Sequence, residues 1–251
     1  MIKNKNKNSI RTRNIFDPKS KEPFKLSRSK IDLFLECERC FYFDRRLGIA
    51  RPPGLPFTLN SAVDFLLKKE FDIHRAKNEK HPLMEKYGIE AVPFQHKMMD
   101  EWRDNFKGVQ FLHRPTNFLV TGAVDDIWAD PKGQLIVVDY KATSTANQIS
   151  MDDPWRQDYK RQVEVYQWLL RQNGFTVSPT AYFVYANGRK DKEAFDGKLE
   201  FDVEIIPYQG NDKWVQDALI KARQCLDSDE IPAAAPDCPF CNYRQSAKKF
   251  E

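Results

Sequence analysis

Apolar spacing divides the chain into a helical start, a strand-rich middle and a mixed end. Ile31, Phe34 and Leu35 recur at helical intervals after Ser29, and Asp32 stands three residues beyond it, so a helix capped by Ser29 is expected. That helix carries Cys37 and Cys40 near its end. Pro52, Pro53, Gly54 and Pro56 then interrupt the chain, and Ser61 with Asp64 has the pattern of a second capping box ahead of Phe65, Leu66, Leu67 and Phe71. A third helix is expected over 95–106. From residue 109 the pattern becomes β-branched and aromatic, predicting strands at 109–113, 118–129 and 134–142. Helical periodicity returns over 158–172 and stops at Asn173-Gly174. Strands follow at 180–186, ended by Asn187-Gly188, and at 201–206; a last helix over 212–226 leads into a proline-punctuated tail with Cys238 and Cys241.

The turn between the two central strands fixes a register. Pro131-Lys132-Gly133 suits a three-residue hairpin loop, with proline opening a type I turn and glycine at the left-handed position that completes it. Pairing Asp130 with Gln134 sets Asp125 opposite Asp139, with Cβ atoms roughly 5 Å apart on one face. Lys141 projects from that face about 7 Å along the strand, while Val138 and Tyr140 point the other way. Two opposed carboxylates repel, or one takes up a proton, and a divalent cation removes the conflict. Mg2+ or Mn2+ suits carboxylate, carbonyl and water oxygens, and the nearby ammonium can stabilise developing charge or orient and deprotonate an attacking water. Each of the three residues alone reads as a surface charge. The run Leu135-Ile136-Val137-Val138, however, reads as a strand buried on both faces, and charges at its end need partners.

In order along the chain, Gly122-Ala-Val-Asp125, Val137-Val-Asp139-Tyr-Lys141-Ala-Thr and Gln162-x-x-x-Tyr166 resemble the PD-(D/E)XK nuclease superfamily in its RecB-like branch, and are similar to the CRISPR-adaptation exonucleases. The resemblance extends from about Ser27 to Arg244. It implies an α/β fold with a restriction-endonuclease-like core, in which helices flank a mixed central β-sheet. It also implies that Asp125, Asp139 and the backbone carbonyl of Tyr140 hold Mg2+ or Mn2+, and that Lys141 assists hydrolysis. Gln162 and Tyr166 would support the site and contact substrate; periodicity alone makes Tyr166 and Trp168 helix-packing positions. Lys160 and Arg161 add positive charge near the same turn. RecB-like nucleases often carry a histidine in their first motif, and Asp64 stands at that place here. It reads either as a replacement oxygen ligand or as the capping partner of Ser61, with Glu70 as a second, weaker candidate in the same helix.

Cys37-x-x-Cys40 and Cys238-x-x-Cys241 supply four thiols, the number for one iron-sulfur cluster or one structural zinc, and Cys225 is left over. Such a site would staple the N- and C-terminal segments together. The nucleases resembled here place one cysteine early and three late around an iron-sulfur cluster, whereas this chain offers two and two, so both metals stay open. Asn242-Tyr243-Arg244 reads as DNA-facing or as plain surface.

Charge changes the picture only at the start. Residues 1–22 hold seven Lys or Arg and two acidic residues in a polar stretch expected to be a disordered basic tail, with residues 23–251 forming a single domain. The tail carries +5 of a total of +4, leaving the body near −1, so the pI of 8.7 does not by itself argue for nucleic acid. No apolar run is long enough for a bilayer or a signal peptide, and cysteines in such a chain point to the reducing cytoplasm. The expected function is metal-dependent hydrolysis of DNA, single- or double-stranded, in repair, recombination or defence. The alternatives are a nucleic-acid-binding protein that keeps the nuclease fold with weak or no chemistry, and a cysteine-bound structural module.

Overall fold

The computed structural model describes residues 10–153 and 156–250. Its first elements are β1 (Phe24–Ser27), α1 (Arg28–Glu36), α2 (Glu38–Arg45), α3 (Thr58–Lys77), α4 (Pro82–Lys86) and β2 (Val92–Pro93). The middle contains α5 (Met99–Arg103), β3 (Val109–His113), β4 (Phe118–Gly122), β5 (Asp126–Ala129) and β6 (Leu135–Thr143). Then come α6 (Gln157–Gln172), β7 (Thr180–Gly188), β8 (Phe201–Gln209), α7 (Trp214–Asp227) and α8 (Pro239–Ala247). This is the mixed α/β architecture expected. Contacts divide the chain into two compact units, one of Leu55–Phe111 with Val120–Val215, the other of residues 10–54, 112–119 and 216–250. No helix among the described residues is long and apolar enough to cross a membrane.

The larger unit is built on a five-stranded sheet of order β2-β5-β6-β7-β8. β5 and β6 are antiparallel, β6 and β7 parallel, β7 and β8 antiparallel. A parallel neighbour cannot be reached by a tight turn, so α6 supplies the crossover from β6 to β7. On one face Leu67 and Phe71 of α3 pack with Trp128, Ile136, Val138, Tyr140 and Val184. The β5–β6 turn follows the expected register. Asp130 N–H donates to the Gln134 carbonyl at 3.0 Å, the Asp130 carboxylate accepts from Lys132 N–H and Gln134 N–H, and Gly133 has φ +78°. The pairs run from Ala129–Leu135 to Asp126–Val138.

Other expectations are corrected. The strand over 118–129 is two strands, because the chain leaves the ladder at residues 123–125. The helix over 95–106 shrinks to α5. Helix α3 begins at Thr58, so Ser61 lies inside it and bonds back to the Phe57 carbonyl at 3.1 Å; no side chain caps this helix, and no capping box joins Ser61 to Asp64. Ser29 likewise lies inside α1, whose cap position is Ser27. Cys37 is extended and separates α1 from α2, so the two early cysteines do not share one helix. Asn187 and Gly188 are the last residues of β7 rather than its stop. Short elements without strong periodicity, β1, β2, α4 and α8, were not anticipated.

The smaller unit contains β1, α1, α2 and α8, with the parts of β3, β4 and α7 that fall in it; β1, β4 and β3 form a three-stranded sheet in that order. The stretch from Ile10 to Glu22, expected as part of a disordered tail, is held in place; residues 1–9 lie outside the described residues. Arg11 N–H donates to the Gly48 carbonyl and Phe16 N–H to the Arg45 carbonyl, and the Phe16 ring is buried edge-on to Phe24. Arg11, Lys30 and Arg45 all pair with the buried Asp44.

Candidate active site

In the larger unit, the register puts Asp125 one position beyond the last β5–β6 pair, next to Asp139 in β6. The Asp125 carboxylate accepts the Tyr140 N–H at 3.0 Å. Asp139 is fully buried, its carboxylate pairs with the Lys141 ammonium, and among the described residues its oxygens have no other hydrogen-bond donor. Lys141 lies 4.6 Å over the Tyr159 ring. A cleft of about 320 Å³ opens here, with Asp64, Asp125, Tyr140, Lys141, Tyr159 and Phe57 among its lining residues.

Charge in this cleft is strongly perturbed. Burial pushes the Asp139 carboxyl up; the Lys141 ammonium opposes this and the Asp125 charge adds to it. Burial acts the same way on Asp125, but the Lys68 and Lys141 ammonium groups and the Tyr140 N–H hold it below the ordinary carboxylate range. Asp64 is raised by burial and by the Asp125 charge. Burial would lower Lys141, yet the Asp139 and Asp125 charges raise it, so it stays a cation.

Lys68 is a member the sequence reading missed. Its ammonium bridges Asp64 at 2.8 Å and Asp125 at 3.1 Å. The signal was available, since Lys68 is four residues after Asp64 on one helical face. Tyr159 was also missed, although it falls on the stripe of Gln162 and Tyr166 at i, i+3 and i+7. Gln162 donates to the Tyr166 hydroxyl at 3.0 Å, and Tyr166 is buried close enough to bear on the Lys141 charge, but neither lines the cleft. Gly122 lets that ring in, because a Cβ there would stand 2.7 Å from Tyr166 Cε1. Glu70 faces His81 at 2.9 Å, outside the cleft, and Lys160 pairs with Asp152.

Behind the cleft lies a buried network that the motif does not contain. Asp126 is fully buried and accepts from Arg75, from Arg103 at 2.9 Å and from the Tyr140 hydroxyl at 2.7 Å. Arg103 also donates to the Asp125 carbonyl at 3.0 Å and grips Asp72 with Nη1 at 2.9 Å from both carboxylate oxygens. Asp125 is thereby fixed from the rear.

The residues fit a divalent cation in kind: three carboxylates and a backbone carbonyl are hard oxygen donors, and Asp139 has oxygens left to satisfy. Among the described residues, however, the only three or more donor side chains already within reach of one ion are Cys37, Cys40, Cys238 and Cys241 in the smaller unit. Their four sulfurs all lie within 4.8 Å of one another, with Cys40–Cys238 at 3.6 Å, Cys40–Cys241 at 3.7 Å and Cys37–Cys241 at 3.9 Å. Cys225 stands apart from this group.

The family model of the PD-(D/E)XK nuclease superfamily matches residues 58–246. No curated protein matches the chain.

Proposed function

From the premise that this chain belongs to the PD-(D/E)XK nuclease superfamily, we propose that it hydrolyses phosphodiester bonds in DNA with the help of Mg2+ or Mn2+. The observation that carries this reading is the fully buried Asp139 lying behind the cleft wall against Lys141, which with Asp125 lines the cleft. Asp125, Asp139, the Tyr140 carbonyl and Asp64 are the groups that would hold the cation, Asp64 after release from Lys68. The cation, when bound, supplies Lewis-acid activation and charge neutralisation. Lys141, kept protonated by its two acidic neighbours, stabilises negative charge developing on the phosphate. Tyr166 packs against Gly122 and with Gln162 fixes the helix from which Tyr159 reaches the cleft.

Cleavage of single-stranded, duplex and circular DNA in Mg2+ or Mn2+ tests the reading and its exonuclease form. Asp139→Ala is expected to abolish cleavage without unfolding the protein, and retained cleavage would sink the proposal. A second reading is favoured by Lys68, which occupies two of the acids: a DNA-binding protein of nuclease fold with little turnover. DNA bound without cleavage in either cation would establish it.

For the four cysteines, the sulfur spacing supports a single zinc ion. Thiolates around tetrahedral zinc at about 2.3 Å stand about 3.8 Å apart. An iron-sulfur cluster interposes iron and sulfide between its cysteines and needs them farther apart. Colourless protein with one zinc per chain is expected; brown protein containing iron would overturn the assignment. Four cysteines gathered as a metal site rather than spread as disulfide pairs favour a reducing, cytoplasmic setting. The family match spans residues of both units, which supports their acting as one nuclease domain.

A further inference from the structure

A second cleft, of about 770 Å³, lies in the smaller unit; Cys40 and Cys241 of the four-sulfur group border it, and it takes no part in the hydrolysis proposed above. Its size is that of a small-molecule site. Its walls are apolar, from Phe43, Ile49, Pro52, Pro239, Phe240 and Tyr243. Tyr243 is 77% exposed, too open for a core residue. The charged lining residues are two arginines, Arg51 and Arg244, and no carboxylate lines the cleft. Both guanidinium groups lie over rings, Arg51 4.6 Å from the Phe240 centroid and Arg244 5.0 Å from that of Phe43. Arg51 is held by Glu36 and by Cys238 Sγ at 3.7 Å. Arg244 is on the surface with no ion pair recorded among the described residues, so its charge is available to a ligand.

Flat apolar walls select a planar ring, and two guanidinium groups, of which Arg51 alone has an acidic partner, select an anion. One chemical unit presents both at this scale, a nucleobase joined to phosphate. We propose that this cleft receives an unpaired nucleotide of a single strand, with the base among the aromatic and proline side chains and the phosphate at Arg244 and Arg51. A base inside a duplex has both faces covered by its neighbours, so the cleft discriminates against paired DNA without reading sequence. The inference rests on the nucleic-acid reading above but not on catalysis.

The test is fluorescence anisotropy of a labelled oligothymidylate and a blunt duplex of equal length, using the metal-loaded full chain without added divalent cation. Tyr243→Ala and Arg244→Glu are each expected to weaken oligothymidylate binding about tenfold, in line with one lost stacking platform. Duplex binding and the metal content of the cysteine site should not change. Tyr243→Trp should keep wild-type affinity, and Arg244→Ala should flatten the log–log salt dependence by about one phosphate contact. Wild-type oligothymidylate affinity in both Tyr243→Ala and Arg244→Glu would overturn the proposal; that is also the result expected if the occupant were an apolar segment of a protein. An equal loss on duplex, or no oligothymidylate binding by the wild type, would overturn it too. Cleavage that depends on Asp139 with cleft variants binding normally sinks this inference alone. Strand binding lost in the cleft variants of a protein that never cleaves sinks the hydrolase reading alone.

Discussion

Replacing Asp126 by Asn should remove a large part of the stability of the larger unit while sparing every residue of the motif. The carboxylate is fully buried, and the side chains of Arg75 and Arg103 facing it are 9% and 10% exposed. Loss of its charge leaves both guanidinium groups with Asp72, 44% exposed, as their remaining acidic partner. Removing one member of a buried ion pair costs about 3–5 kcal/mol, because the surviving charge stays desolvated. A whole domain has only about 5–15 kcal/mol to lose. With a urea slope of about 3 kcal/mol per molar, the midpoint should fall by about 1–2 M. Tryptophan fluorescence reports on this unit alone, since all five tryptophans lie between residues 55 and 215. A midpoint within a few tenths of a molar of wild type would refute the argument that Asp126 is the buried counter-charge of both arginines. Below the transition, cleavage should also fall, because Arg103 holds the Asp125 carbonyl.

Three further outcomes are expected. Gly122→Ala puts a Cβ 2.7 Å from the Tyr166 ring and 3.0 Å from Leu169 Cδ1, so thermal unfolding should show a loss of about 1–3 kcal/mol; an unchanged melting temperature would mean that α6 yields freely. Burial, helped by the Asp125 charge and opposed by Lys141, raises Asp139 from the ordinary 3.8 to about 7. Between roughly pH 4 and 7 the folded state therefore keeps a proton the unfolded chain has released, and this group's contribution falls as pH rises. Without added divalent cation, Asp139→Asn should gain on wild type across that window in urea titrations, and a pH-independent difference would count against the shift. Lys68→Met frees Asp64 and Asp125 from their bridging ammonium, so Mn2+ should bind more tightly by calorimetry; weaker or equal binding would show that Lys68 does not compete with the cation.

The β5–β6 register was legible because a proline and a left-handed glycine at the two ends of a three-residue loop admit few turns, and side-chain alternation carries that choice to Asp125 and Asp139. The break at residues 123–125 was not legible. It depends on Arg103 taking the Asp125 carbonyl and on the Trp102 carbonyl accepting Val124 N–H, both remote in sequence. Ser61 and Asp64 misled for a local reason: the spacing of a capping box also occurs inside a helix, and Asp64 makes an i,i+4 pair with Lys68 instead. The order of residues 10–22 escaped because composition counts charges, whereas Arg11 and Phe16 are fixed by specific partners remote in sequence. Asp126 read as an ordinary strand position beside the motif, since its two arginines come from 51 and 23 residues away.

The smaller unit is assembled from three stretches, and Cys37 and Cys241 are 204 positions apart. During synthesis from the N-terminus, all of residues 55–215 have emerged before the last stretch is made, so the larger unit can fold first. The four-sulfur group must wait for residues 238 and 241. Termination between residues 216 and 237 yields a chain that bears every acid and lysine of the cleft but only half of the thiol set. Closure of that group therefore requires synthesis through residue 241.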